Sequence, residues 1–500
     1  MKKLIGAVLC TLFPVILFAG ASADFSHLKG RVSEFTLKNG LKFILLEDHS
    51  VPVASFFTYV NVGASDESET IHGISHVMEH LAFKGTSEVG TTDYKGEKKV
   101  LDRMESVHQQ ILAERDKLFP DQKRVETLQK ELQDLEAQAA KFVVPNELDT
   151  VLKRNGAVGL NAGTSQDYTM YFYSLPSNKL ELWASLEAAR FVDPVFREFY
   201  KEIEVIKEER RMRTENSPIG KLLEEVESVS FKDHPYKSSV VGPMSNLNHI
   251  SVADVRAYHR RNYTARNMVI GVTGDVTKEQ LQRVAEKYFS GIREGMRNNP
   301  VVATETPQTG TKEVTLFEES QPWLIMGYHC PASSHRDYLK FELLNYILTN
   351  GRSSRLYKKL VIDEKSALAV ASFVGYPGSK YPGLYLVLTI PGGGKTNADM
   401  EKVIFEEIEK LVKEPVSAEE LLSAKNRLKQ EKINTLSNNS GLLMELLSSE
   451  VLQGSWSKTF DTLEELEKIT SEDIQTLVKG YLVKGNLTIG RIEKKEEVTK

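Results

Sequence analysis

Two stretches far apart in the chain run in step. Ile250 to Gly271 reads ISVADVRAYHRRNYTARNMVIG and Ile469 to Gly490 reads ITSEDIQTLVKGYLVKGNLTIG. Each starts with Ile and a Ser or Thr suited to cap a helix, then Asp254 or Asp473, a helical stretch, Tyr263 or Tyr481, Asn267 or Asn486, and a strand ending Ile-Gly. The spacings agree to within a residue, so duplication is the reading we adopt. At 500 residues the chain also exceeds one ordinary core. Two related α+β domains are therefore expected, residues 24–295 and 313–500. The segment between, 296–312, carries Pro300, Pro307 and Gly310 with little periodicity and reads as a linker.

Within the first half, Ser33 to Ser65 alternates apolar and polar residues around Asn39-Gly40 and His49-Ser50, which predicts two or three strands. Residues 157–176 return to strand character, and 178–230 read as mainly helical. Between them, about 97–142, the chain turns rich in Glu, Lys, Gln, Leu and Arg. Val125, Leu128, Leu132, Leu135 and Ala139 recur at heptad spacing, and Leu101, Met104, Ile111 and Leu118 continue it before Phe119-Pro120-Asp121. This predicts an antiparallel helical hairpin with a coiled-coil seam, inserted into the first domain.

The first 23 residues differ from the rest. Lys2 and Lys3 precede an apolar run that ends in Ala21-Ser22-Ala23, the pattern of a cleaved signal peptide. No other run approaches the ~20 apolar residues of a membrane span. Removing Lys2 and Lys3 from 64 Lys and Arg leaves 62 against 69 acidic residues, near −7, and no basic surface for nucleic acid stands out. After cleavage Cys330 is the one remaining cysteine, so no internal disulfide can form; its neighbours supply no base, and it reads as packing rather than nucleophile. Export to the periplasm of a Gram-negative bacterium is the expected destination.

Histidine is scarce, 11 in 500, yet His72, His76 and His80 fall in HGISHVMEHLAFKGT with Glu79 beside them. On a helix His76 and His80, at i and i+4, stack on one face and both reach one metal ion. Glu79 borders that face, where a carboxylate beside metal and water serves as general base. His72 lies a further turn away, about 6 Å along the axis, and fits a loop or capping role better than ligation. The order His-x-x-Glu-His is the inverzincin signature.

With HVMEHLAFKGT as its most specific part, the sequence resembles the pitrilysin/insulinase family of zinc metallopeptidases, on the branch with the mitochondrial processing peptidases. LNAGTSQDYTMYF, EIEVIKEERRMRTENSP, HPYKSSVVG and NYTARNMVIGVTGDV also resemble family segments, in the family order. The likeness spans nearly all of the mature chain except the hairpin, which lengthens the interval from His80 to Glu209. It implies one Zn²⁺ per chain, held by His76, His80 and a glutamate of KEIEVIKEERRMR: Glu209, with Glu208 the competitor. Glu202, two turns earlier, is then the carboxylate that orients the site. It further implies that Glu79 passes the water proton to the leaving amine, and that Asn161 and Ala162 hold an extended peptide at a strand edge. Tyrosines of GYPGSKYPGLYLVLT, among them Tyr381 and Tyr385, would reach the scissile region, although the arginine that often accompanies them in the family is absent.

The implied activity is that of a zinc metalloendopeptidase acting on peptides or unfolded segments. The region corresponding to the His-rich helix in the second half, RDYLKFELLNYILTNG, has no His or paired acid, so the chemistry belongs to the first domain. Family members close two such domain pairs around substrate, which implies a homodimer or a heterodimer with a related subunit lacking the zinc site. The alternative is a non-proteolytic clamshell binding or assembly factor of the same fold.

Overall fold

The computed structural model describes residues 26–494; the signal peptide expected at the N-terminus lies outside them. Two mixed sheets, each flanked by helices, make up an α+β architecture. The first contains β1 (Val32–Thr36), β2 (Lys42–Glu47), β3 (Val53–Val60), β4 (Val158–Thr164), β5 (Thr169–Pro176) and β6 (Met268–Gly274), ordered β1-β2-β6-β3-β5-β4. The second contains β7 (Lys312–Glu318), β8 (Trp323–Cys330), β9 (Ala367–Tyr376), β10 (Gly383–Pro391) and β11 (Leu487–Lys494), ordered β7-β11-β8-β10-β9. Dropping β1 makes the two orders correspond strand for strand. β6 runs parallel to β2 and antiparallel to β3, as β11 does to β7 and β8.

The helices used below are α1 (Ile74–Leu81), α2 (Tyr94–Arg115), α3 (Gln122–Ala139), α4 (Phe199–Arg210), α5 (Pro218–Ser230), α6 (Val252–Asn262), α7 (Tyr338–Leu348), α8 (Asn439–Leu452) and α9 (Ser471–Tyr481). The sequence echo has a structural cause. Ser251 caps α6 in a reciprocal box with Asp254, and Thr470 caps α9 likewise with Asp473. Past each helix an asparagine amide ties back to the helix end: Asn267 Nδ2 to the Asn262 carbonyl and Asn486 Nδ2 to the Tyr481 carbonyl, both at 2.9 Å.

The shared glycines explain the strand ends. α8 comes from the second half but lays Leu442, Leu443, Leu446 and Leu447 on the face of the first sheet formed by Ile44, Leu46, Phe57, Tyr59 and Met170. α5 belongs to the first half, yet packs Leu222 and Val226 onto Ile325, Leu384, Leu386 and Ile492 of the second sheet. The two halves thus exchange covering helices. A Cβ at Gly271 would lie 2.8 Å from the Leu443 and Leu447 methyls, and one at Gly490 would lie 2.3 Å from a Val226 methyl. Each glycine lets the other half's helix reach the sheet.

Between the halves the chain from 293 to 310 has no helix or strand, but it is pinned. Glu305 accepts the amides of Lys232, Asp233 and His234, and the Val301 amide donates to the Tyr381 hydroxyl. Two further contacts latch the halves. Asp167, buried, accepts the Tyr236 hydroxyl at 2.5 Å and the Ser379 and Lys380 amides at 2.7 and 2.9 Å. Glu227 of α5 accepts the Tyr376 hydroxyl at 2.5 Å, while its other oxygen is buried without a partner.

α2 and α3 form the antiparallel hairpin, with a core of its own from Val107, Ile111, Val125 and Leu128 flanked by Leu132 and Leu135. The heptad reading is corrected at one position: α2 ends at Arg115, so Leu118 leaves the seam and lies 87% exposed in the connecting loop. Among the described residues no helix is long and apolar enough to cross a membrane.

Two stability outcomes follow. A methyl at Gly490 meets β-branched Val226, which has no free rotamer to retreat into, whereas the Leu ends facing Gly271 can turn aside. Gly490→Ala should therefore cost about 1–3 kcal/mol in denaturant unfolding, and Gly271→Ala clearly less. Burial raises the Glu227 carboxyl to about 7, above its unfolded value near 4.5. Its contribution is thus full below about pH 4.5 and is lost as pH rises through 7. Glu227→Gln, which keeps an acceptor for Tyr376, should match wild type near pH 4 and exceed it by on the order of 1–3 kcal/mol at pH 8.

Candidate metal centre

The centre is assembled from α1, α4 and the edge strand β4. α1 follows β3 after a short 3-10 turn, Ala64–Asp66, and its first turn is anchored by a buried carboxylate: Glu67 accepts the amides of Gly73 and Ser75 at 2.8 and 2.7 Å. His72 sits at this anchor, its Nδ1 3.4 Å from Glu67 and its Nε2 3.4 Å from the Ser238 hydroxyl, in keeping with the loop role expected for it.

His76 and His80 then share one face, their rings perpendicular with centroids 4.8 Å apart. α4 lies across them. Glu209 Oε2 is 3.5 Å from His76 Nε2 and 3.6 Å from His80 Nε2, and one ligand atom from each of the three residues lies within 4.8 Å of the others. Ligands at 2.0–2.1 Å from a tetrahedral ion stand about 3.4 Å apart, which the two His–Glu separations approach; two imidazole nitrogens and a carboxylate oxygen are also the donor set that suits zinc. Glu208, the competitor from sequence, points outward, 70% exposed and paired with Arg211.

The surrounding groups orient these three. Glu202, two turns before Glu209, takes His80 Nδ1 at 3.1 Å and the Lys84 ammonium at 2.6 Å. The contact to Nδ1 leaves Nε2 facing Glu209. Burial opposes charge on His80, but Glu202 and Glu209 outweigh it and lift the ring to about 9 in the absence of metal. His76 is buried and moves the other way, held down by desolvation and by His80. Arg213 bonds the second oxygen of Glu209 at 2.7 Å.

Glu79 projects from the same helix, and burial raises its carboxyl above the usual range. It accepts the Thr164 hydroxyl at 2.6 Å, which joins it to β4. That strand is the last of its sheet, bonded only to β5, so its other edge is open beside Glu79. Asn161 and Ala162 lie on it opposite Phe172 and Tyr171; the Asn161 side chain bonds the Ala162 amide.

The tyrosines fare differently. Tyr385 is fully buried in the second core against Phe341, its hydroxyl donating to Ser372 at 3.1 Å. Its expected role at substrate is therefore corrected: strand alternation turns it inward. Tyr381 is half-buried beside His234 and Tyr236, and its hydroxyl is engaged by Val301, so it serves the junction between halves. Cys330 is buried, its thiol pushed up to about 12 by desolvation, which suits packing and not nucleophilic attack.

Sequence reasoning missed four neighbours. Lys84 and Arg213 stand four residues after His80 and Glu209, a helical spacing that could have found them. Thr164 shares a strand face with Ala162. Arg197 carried no local signal. Fully buried, it bonds Glu97 of α2 and the carbonyls of Lys84, Thr86 and Val89. Gly85 and Gly90, both at positive φ, let this loop wrap the guanidinium, which accounts for the glycine in LAFKGT.

Comparison with known proteins shows what the chain is similar to. The family model "Insulinase (Peptidase family M16)" matches residues 42–99, and "Peptidase M16 inactive domain" matches 249–428. The zinc protease PqqE of Helicobacter pylori is 27% identical over 473 residues, covering 91% of both chains. The uncharacterized zinc protease YmxG of Bacillus subtilis is 22% identical, covering 90% of this chain and 95% of that one. Among solved structures, a protease from Helicobacter pylori superposes with a TM-score of 0.76 at 23% identity, covering 92% of this chain and 99% of the other. The periplasmic protease PqqL of Escherichia coli gives 0.69 at 15% identity, and this chain spans 94% of its own length but 48% of PqqL. The fold is that of the two-domain M16 proteins. Over residues 42–99 and 249–428 the chain is thus similar to the pitrilysin/insulinase family, peptidase family M16.

The Glu202 contact is open to a direct test. Glu202→Gln should weaken metal binding about 10–100-fold, read by competition against a chelator, while the unfolding midpoint of the metal-free protein moves little.

Proposed function

We propose that this chain is a zinc-dependent endopeptidase that cleaves extended peptides or unfolded protein segments. The observation that carries the reading is the approach of Glu209 Oε2 to His76 Nε2 and His80 Nε2, at 3.5 and 3.6 Å, with one ligand atom of each residue within 4.8 Å of the others and Glu79 on the same helix as the two histidines. One Zn²⁺ bound there supplies Lewis acidity toward the scissile carbonyl and lowers the pKa of water.

The chain's own residues do the rest. Glu79, raised by burial, takes a proton from the attacking water at its carboxylate and returns it to the leaving amine. The Thr164 hydroxyl fixes the carboxylate's direction. The open edge of β4, through the backbone at Asn161 and Ala162, holds the peptide extended alongside Glu79. Glu202 and Lys84 keep His80 turned toward the metal, and Arg213 does the same for Glu209.

PqqL is about twice the length matched here, and its first half alone aligns over 92% of itself with a TM-score of 0.66. A single chain of this size is thus half of such an arrangement, which supports pairing with a second copy or a related subunit. The likeness to the periplasmic protease PqqL and the apolar N-terminal run together favour a periplasmic setting.

The test is hydrolysis of a mixed unfolded peptide substrate by the mature zinc-loaded chain beside Glu79→Gln. Wild type should cleave and the variant should lose about 10²–10⁴-fold in kcat while still binding zinc. A folded, zinc-loaded wild type that binds peptide without cutting it would replace this reading with the binding-factor one.

A further inference from the structure

The hairpin supplies none of the three candidate metal donors, and its far end is built unlike the rest of the surface. Leu118 and Phe119, adjacent in the loop between α2 and α3, are 87% and 86% exposed. Large apolar side chains this exposed are normally scattered singly on a protein surface. Around them, residues 115–124 carry four cations, Arg115, Lys117, Lys123 and Arg124, against Asp116 and Asp121.

The acids at this end are already engaged. Buried Glu114 takes the Lys117 ammonium at 2.7 Å, lies 3.4 Å from Arg124, and accepts the Asp121 amide. Asp121 caps α3 through the Arg124 amide, and Asp116 faces His249 at 3.4 Å. Among the described residues no ion pair engages Arg115 or Lys123. The adjoining segment from Ser245 to His249, a short helical turn and its end, contains no carboxylate.

We propose that the tip of the hairpin is a membrane-surface anchor: Leu118 and Phe119 enter the interface of an anionic bilayer while Arg115 and Lys123 meet its headgroups. The shape favours lipid over a protein partner. A stable protein interface needs about 800 Å² from each side, more than a convex two-residue tip offers, whereas a bilayer accepts such a tip without a matching groove. The cationic collar complements an anionic headgroup layer. The proposal is independent of catalysis.

The experiment is co-sedimentation of the mature chain with vesicles of phosphatidylcholine alone or mixed with phosphatidylglycerol. Binding should appear on the mixed vesicles and weaken with salt. Leu118→Ser with Phe119→Ser should lower partitioning on the order of tenfold or more. Arg115→Gln and Lys123→Gln should each lower it about fivefold on anionic vesicles and leave neutral vesicles unaffected. Because the tip is exposed, all variants should keep the wild-type unfolding midpoint. Absence of vesicle binding, or equal binding by the serine variant, overturns the proposal. Self-association that the serine variant abolishes, without vesicle binding, assigns the tip to a second copy and also overturns it.

Discussion

Everything at the site depends on two helices crossing from one half of the chain to the other. A mixed sheet with both faces apolar must be covered on both, and each half supplies its own helices for only one face. α8 covers the first sheet and α5 the second. The contact surface is leucine and valine against sheet, closed to van der Waals distance by Gly271 and Gly490. This arrangement makes the halves one packed body rather than two beads on a linker. It also places α5, which directly follows the turn after α4, under constraint from the second sheet. Glu209 sits at the end of α4, so the packing that seats α5 also bears on where the third donor points.

Polar contacts then fix the register of that packing. Asp167 binds two amides from across the junction and the Tyr236 hydroxyl of its own half, a geometry that a sliding interface would not sustain. Glu227 is held less completely, with one oxygen bonded and the other unpartnered in a buried position. An unpartnered buried carboxylate oxygen disfavours the charged form, so burial here acts as a pH-dependent element of the junction. The hydrophobic contact supplies adhesion; the carboxylates decide the alignment.

Much of this was legible in the sequence, for identifiable reasons. The duplicated capping boxes and Ile-Gly strand ends announced two related domains because local chemistry repeats with the fold. His76, Glu79 and His80 were legible because helical periodicity puts them on one face of a helix; Glu202 and Glu209 came only with the family resemblance, since periodicity does not say which helices face each other. What periodicity could not supply was direction across elements. Tyr385 and Tyr381 stood in the right segment, but strand alternation and the path of residues 293–310 turned one into the core and the other toward Val301. Leu118 fitted a heptad whose helix had already ended. Arg197 and Glu97 are 100 residues apart with no shared pattern, and their pairing belongs to tertiary structure alone.

That buried pair changes how the insertion should be understood. The hairpin departs just after α1 and returns well before α4, and one guanidinium closes the gap. Arg197 holds Glu97 near the start of α2 while gripping the carbonyls of the loop that leaves the His80 helix. Removing one partner of such a pair leaves an uncompensated buried charge, which is among the costliest local defects. The base of the hairpin is therefore part of the scaffold that sets Lys84, and through Lys84 the carboxylate of Glu202. The outer two-thirds rests on its own small core and can vary without disturbing that scaffold. An insertion built this way leaves its tip free for a second role while its root stays in the metal centre's support.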